Sequence, residues 1–209
     1  LALALPTQFE PISPPSALPD AKARCQGRSS DEQPRATSPD AKVLQLSGSP
    51  GNGIQDLFEY GSLLGSGTFG SVFAARERST GEDVALKVIP KSRQYAGLLE
   101  HLGGQLIGSM LAFRHANVVR YRLLAEDASM VYVSMDHYTG HDLFDYFVEE
   151  CPCTRDKTLN VASQVLSALA YIHDAAGVVH CDVKPENFIF STPVSQTLKL
   201  IDFGSAMTV

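Results

Sequence analysis

Long apolar runs are missing from this 209-residue sequence. No window approaches the roughly 18 to 20 uninterrupted apolar residues that cross a bilayer, because Gly, Arg or Asp interrupts each candidate within a turn or two. Basic residues are also in deficit, with 17 Lys and Arg against 23 Asp and Glu and a formal net charge of -6. Proteins that work chiefly by neutralising nucleic-acid phosphates need a clustered Lys/Arg excess, and no segment supplies one. The same deficit disfavours anionic membrane surfaces. Cysteine is scarce. Cys25, Cys151, Cys153 and Cys181 are too few and too irregular for a disulfide framework, and Cys151-x-Cys153 has no second Cys/His pair at zinc-ligand spacing. Reduced thiols are therefore expected, with a cytoplasmic location and the nucleus as the alternative. The first residue is Leu, and Leu1 to Leu5 ends at Pro6 without the basic segment of a leader, so the sequence is expected to be a fragment.

Proline, by contrast, is present and unevenly placed, eight of the twelve falling before residue 56 among Ser, Ala, Gln and Gly. Such a stretch buries too little apolar surface to offset its backbone entropy. Residues 1–56 are expected to be a disordered arm. Ser13-Pro14, Ser38-Pro39 and Ser49-Pro50 are candidate phosphorylation sites in it, and Pro11-x-x-Pro14 is a candidate dock for a regulatory protein.

From residue 57 the pattern becomes that of a compact domain. Glu59 to Leu64, Ser71 to Arg76 and Val84 to Ile89 read as three antiparallel strands joined by Gly-containing turns. Residues 94–113 carry a helical spread of apolar residues, weakened by Gly103-Gly104. Two more strands follow, near Tyr121 to Ala125 and Ser129 to Asp136. Asp156 to His173 then places Leu159, Ala162, Val165, Leu166, Leu169 and Ile172 on one helix face. Short extended stretches at Val178-Val179, Phe188 to Phe190 and Leu198 to Ile201 complete the pattern.

Three constellations carry chemistry. Gly65-Ser66-Gly67-Thr68-Phe69-Gly70 is a G-x-G-x-x-G, in which the missing Cβ atoms let backbone amides approach phosphate oxygens. Alone it is weak evidence, and a turn-rich hairpin that binds nothing is the default reading. Strand-like residues follow it, whereas a dinucleotide fold needs a helix there, and no Gly-Lys-Ser/Thr of a Walker loop occurs. In Val84-Ala85-Leu86-Lys87-Val88-Ile89 the strand alternation puts Lys87 on a face with Ala85 and Ile89. An ammonium there costs free energy unless it meets an anion or snorkels to water. Finally, His180-Cys181-Asp182-Val183-Lys184-Pro185-Glu186-Asn187 gathers a base, a cation and a ligating amide in one loop, and Asp202-Phe203-Gly204 follows twenty residues after Asp182.

Taken in order, these elements resemble the signature set of the eukaryotic protein kinase family over residues 58–209. The resemblance implies an α+β, protein-kinase-like bilobal fold, with an antiparallel five-stranded N-lobe carrying one helix and the first part of a mainly helical C-lobe, truncated. It implies ATP and Mg2+ as cofactors and Ser/Thr residues of protein substrates as phosphate acceptors. Gly65 to Val72, which includes Ser66, Thr68, Phe69 and Ser71, would cover the ATP phosphates, and Lys87 would hold the α/β-phosphates. Leu64, Val72, Ala85 and Ile189 would sandwich adenine, Met135 would back the pocket, Asp136 to Tyr138 would form the hinge, and Asp142 would reach the ribose. Asp182 would orient and accept the hydroxyl proton, Lys184 would stabilise the moving phosphoryl group, and Asn187 and Asp202 would hold magnesium. Lys184 resembles the serine/threonine type. Thr139 to Asp145, Glu186 to Phe190 and Lys199 to Gly204 look most like the calcium/calmodulin-dependent and calcium-dependent kinases.

Departures from the family pattern set further expectations. Cys181 stands where many members have the Arg that receives an activation-loop phosphate, so activity is expected not to depend on phosphorylation through that route. The acidic partner of Lys87 is either Glu100 or, as a neutral contact, Gln105. Ending at Val209, the fragment itself is expected to be inactive. A pseudokinase and a truncated nucleotide-binding or interaction module are the alternatives.

Overall fold

The computed structural model describes residues 43–49, 51–67, 70–91, 105–150 and 152–208. Alternating apolar residues with Gly-containing turns form an antiparallel meander of β2 (Phe58–Gly67), β3 (Gly70–Glu77) and β4 (Asp83–Pro90). A helix at Gln105–Ala112 follows, and then the hairpin of β5 (Tyr121–Glu126) and β6 (Met130–Asp136). The hairpin inserts β6 against β4, and with β1 (Leu44–Gln45) at the edge the strand order is β1-β5-β6-β4-β3-β2.

The outermost strand, β1 (Leu44–Gln45), corrects the five-stranded expectation and the boundary of the arm at residue 56. It runs parallel to β5, with Leu44 opposite Ala125, so the sheet is six-stranded and mixed. Leu46 N donates to Glu126 O at 2.7 Å. Leu46 and Ile54 are buried with Phe58, Val84, Leu86 and Tyr132 on the outer face of the sheet. Two apolar side chains among Ser and Gly give no periodicity, so only the far partners reveal that this segment packs. The part of the expected arm before residue 43 lies outside the described residues.

Strand β4 has two distinct faces. Val84 and Leu86 enter the outer cluster, while Ala85 and Ile89 enter the larger inner one, as the alternation predicts. That inner cluster continues into the second part of the chain through Phe113, Val118, Leu200 and Phe203. There β8 (Phe188–Phe190) pairs with β9 (Leu198–Leu200), and β7 (Val178–Val179) with β10 (Met207–Thr208).

The long helix, Arg155–Ala170, starts where Thr154 Oγ1 accepts from Lys157 N at 3.3 Å, and it runs into a wider turn at Tyr171–Ala175. Its buried side overlaps the expected face in part. Ile172 is buried and Val165 and Leu169 pack against the inner cluster as expected, Val161 and Ala168 are buried as well, and Leu159 and Leu166 are 54% and 66% exposed. Gln164 belongs to the packed side. Its Oε1 accepts from Asn117 Nδ2 and Leu198 N, both at 2.8 Å, and its Nε2 donates to Gln196 O at 2.8 Å. Hydrogen bonds of a glutamine turn this side toward β9, and apolar periodicity cannot register them. A shorter helix, Leu143–Glu150, was not apparent from periodicity; Asp142 Oδ1 accepts from Asp145 N at 2.9 Å at its start.

Candidate active site

A cavity of about 640 Å³ opens between the inner face of the sheet and the loops that follow β7 and β9. Its roof is Leu64, Gly65, Val72 and Ala85, and Ile189 lies among the residues opposite. Met135 lines the depth and Asp136, His137 and Tyr138 the edge. Apolar walls with a few polar groups at one end suit a flat heterocycle carrying an anionic tail.

The glycine segment is the hairpin between β2 and β3. Gly70 sits at φ +133°, where an added Cβ would meet Val88 O at 2.2 Å, so only glycine fits beside β4. Ser66 Oγ and Ser71 Oγ lie 2.9 Å apart across the hairpin, and Gly67 pairs with Gly70. Thr68 and Phe69 lie outside the described residues, as does Glu100, and the Gln105 side chain is likewise not described. The choice between Glu100 and Gln105 therefore rests outside what the structure describes.

At the polar end, Lys87 Nζ donates to Asp202 Oδ1 at 2.5 Å, joining positions 115 residues apart. The Lys87 side chain is only 12% exposed, so its charge is held against this carboxylate rather than in bulk water. Asp202 has a left-handed backbone, φ +54°, and its Oδ1 also accepts from Gly204 N at 3.3 Å. Phe203, next in sequence, is buried against His180, Phe113 and Tyr121. That packing anchors the Asp202 turn. Sequence reasoning did not single out Tyr121 or Phe113, because an aromatic at a strand start and another after a helix carry no signal until the fold stacks them.

The 180–187 loop is organised by its own polar groups. His180 is fully buried, and burial lowers its pKa. Its Nδ1 accepts from Asp182 N at 3.3 Å, which leaves Nε2 as the donor to Ile201 O at 2.9 Å. Asn187, also buried, donates from Nδ2 to Asp182 O at 2.7 Å and to Asp182 Oδ2 at 3.1 Å. Lys184 Nζ lies 2.8 Å from the same Oδ2. The bond from Lys184 and then that from Asn187 hold the Asp182 carboxyl below its usual range despite partial desolvation. Cys181 is exposed in a left-handed conformation, φ +62°, immediately before Asp182.

Asn187 and Asp202 both line the cavity. With Nδ2 committed to Asp182, the amide oxygen is the atom of Asn187 that could serve as a ligand. Hard oxygen donors from one amide and one carboxylate, completed by phosphate oxygens, match the demands of Mg2+. Asp182, Lys184 and Asp142 stand outside the apolar lining. Asp142 caps the Leu143–Glu150 helix and bridges to Ile189. Gly140, in the Thr139 to Asp145 segment, lets the chain lie against β8, since a Cβ there would meet Phe190 O at 2.5 Å.

Comparison with known proteins agrees with this geometry. A family model describing the protein kinase domain matches residues 58–209. The calcium/calmodulin-dependent protein kinase type 1B of Rattus norvegicus is 36% identical over 154 residues, covering 72% of this chain and 43% of that protein. The type IV enzyme of Homo sapiens is 31% identical over 165 residues, 78% of this chain and 34% of that protein. A probable myosin light chain kinase of Dictyostelium discoideum is 32% identical over 152 residues, 73% of this chain and 47% of that protein. The chain thus spans less than half the length of the curated relatives it matches.

Proposed function

This chain belongs to the protein kinase family, and from that premise we propose that the whole protein transfers the γ-phosphoryl group of ATP to Ser or Thr hydroxyls of protein substrates. Kinases of this family use ATP and Mg2+, and the observation that carries the reading here is the joined polar end of the cleft. Lys87 meets Asp202 across it, and Asp182, Lys184 and Asn187 are tied together beside it. Phosphoryl transfer asks mainly for positioning and charge neutralisation, and this set supplies both.

Leu64, Val72, Ala85 and Ile189 would enclose adenine against Met135, with Asp136 to Tyr138 offering backbone groups along its edge and Asp142 reaching the ribose. Lys87 and the amides of the Gly65 to Ser71 hairpin would hold the phosphates. Asn187 and Asp202 would hold Mg2+, which when bound neutralises phosphate charge. The Asp182 carboxylate, kept ionised by Lys184, orients the acceptor hydroxyl and takes its proton as the new P–O bond forms and the bond from the γ-phosphorus to the β,γ-bridging oxygen breaks, releasing ADP. Lys184 offsets the charge on the phosphoryl group in transit. Two of the relatives above are calcium/calmodulin-dependent enzymes by name, and no EF-hand loop occurs in these 209 residues.

Asp182→Asn in the full-length protein tests the assignment. Transfer to a Ser/Thr peptide library is expected to fall about 10²- to 10⁴-fold, the worth of a positioned base. ATP affinity should stay within about twofold, because Asp182 lies outside the adenine walls. Nucleotide binding without any Asp182-dependent transfer would overturn the enzymatic reading and leave a nucleotide-binding module.

A further inference from the structure

Arg122 takes no part in the chemistry above, yet it gathers three carboxylates beside the cleft. Its placement comes from an irregularity in the sheet. Tyr121 pairs with Met135 and Leu123 with Ser134, so Arg122 is the extra residue of a β-bulge between β5 and β6. A bulge re-aims the side chain at the irregular position. Here Nε donates to Asp136 Oδ1 at 2.6 Å, Nη1 donates to Glu82, and Glu77 lies 4.0 Å from the same Nη1. The side chains of Arg122, Asp136 and Glu77 are 23%, 26% and 28% exposed whereas that of Glu82 is 57% exposed, so the Asp136 end of the cluster is the better shielded from the screening that weakens surface pairs.

The two ends of this cluster matter for the site. Asp136 closes β6, lines the cavity as the first hinge residue, and pairs with Val84 near the start of β4. Glu82 immediately precedes β4, the strand that carries Lys87. One guanidinium therefore ties the hinge to the turn that leads into the phosphate-binding strand.

We propose that Arg122 is a positioning residue that fixes the hinge relative to β4 and thereby sets the affinity for nucleotide. The inference rests on the cleft being a nucleotide site. Released from Arg122, the hinge samples conformations in which its backbone groups are misplaced, and binding must first order it, which weakens affinity. Asp182 and Lys184 lie on the 180–187 loop, away from this cluster, so turnover at saturation depends on Arg122 far less. Lysine is a poor substitute, because the planar fork aims Nε and Nη1 at different carboxylates whereas an ammonium is a single point.

The test compares the full-length protein with Arg122→Gln, Arg122→Lys, Asp136→Asn and the Arg122→Gln/Asp136→Asn double variant. ATP with Mg2+ is titrated by calorimetry, KM for ATP and kcat are measured on a Ser/Thr peptide library, and melting is followed without nucleotide. Arg122→Gln should weaken ATP binding about three- to tenfold and raise KM in step, while kcat falls less than about twofold. Arg122→Lys should lie between, and the double variant should bind no more weakly than Arg122→Gln, because the tie is already broken. Should Arg122→Gln melt early, Arg122→Lys and Asp136→Asn, compared at a temperature where both are folded, still read out the affinity. Unchanged affinity in Arg122→Gln, additive effects in the double variant, or an equal fall in kcat overturns the role of Arg122 alone. Failure of the unaltered protein to bind ATP saturably overturns the nucleotide site itself and this inference with it.

Discussion

Single residues in this molecule are held by local polar contacts whose strength depends on charge, and Asp127 shows it outside the site. Its Oδ1 accepts from Ser129 N at 2.7 Å, Ser129 Oγ at 3.0 Å and Met130 N at 2.8 Å, and its Oδ2 from Tyr132 Oη at 2.8 Å. Burial by itself would raise this carboxyl; the bonds from Ser129, Tyr132 and Met130 outweigh it and bring the pKa to about 2. The folded value lies below the unfolded one, so the contribution is complete above the unfolded pKa of 3.8 and is lost as pH falls toward about 2. Asp127→Asn should therefore cost about 1 kcal/mol at pH 7, allowing for solvent screening at this turn. Urea midpoints at pH 7, 5, 4 and 3 should show the gap between the two proteins constant at first and narrowing below about pH 4. A gap that widens on acidification would contradict this account.

At the scale of elements, the segment from β1 to β2 behaves as part of the sheet. Leu46 and Ile54 are 8% and 6% exposed, and both rest on the face of β4 opposite Lys87. Arg78 fastens the same segment, its N donating to Leu57 O at 2.8 Å and its Nε to Gln55 O at 2.9 Å. Leu46→Ala and Ile54→Ala should each destabilise the protein by about 2 to 3 kcal/mol, at the lower end for buried truncations because neither side chain is fully enclosed. Equilibrium urea unfolding gives the value. Wild-type stability in both variants would mean that residues 43–57 merely lie on the sheet. The protein kinase family match begins at residue 58, directly after this strap.

Across the whole molecule, the inner cluster joins the sheet to the second part of the chain, and Phe203 stands near its middle. It is 1% exposed, with ring centroids 4.7 Å from His180, 5.0 Å from Phe113 and 6.1 Å from Tyr121. Phe203→Ala should cost about 3 to 5 kcal/mol in urea unfolding, and Phe203→Leu markedly less, because the cavity left behind is smaller. Because Asp202 is adjacent, the alanine variant should also weaken ATP binding in the presence of Mg2+ beyond what the leucine variant does. Nucleotide bound as proposed would touch both parts of the chain, since residues of both line the cavity. At about a hundred times Kd it should add about 2.7 kcal/mol to the stability of the unaltered protein, seen as a rise in the melting midpoint.

The sequence by itself determined the strands from 58 to 136 and the order of the groups to which the chemistry is assigned. Lys87, Asp182, Lys184, Asn187 and Asp202 were legible because alternation and short spacing are properties of contiguous chain. The same holds for the two faces of β4. Tertiary structure decided the rest. It set β1 against β5 across 81 residues, bound Gln164 of the Arg155–Ala170 helix to Asn117, Gln196 and Leu198, aimed Arg122 at Asp136 and Glu82 through a bulge, and joined Lys87 to Asp202. Each of those outcomes depends on which distant group arrives as a partner, and burial or a hydrogen bond with a distant partner leaves no period in the local sequence.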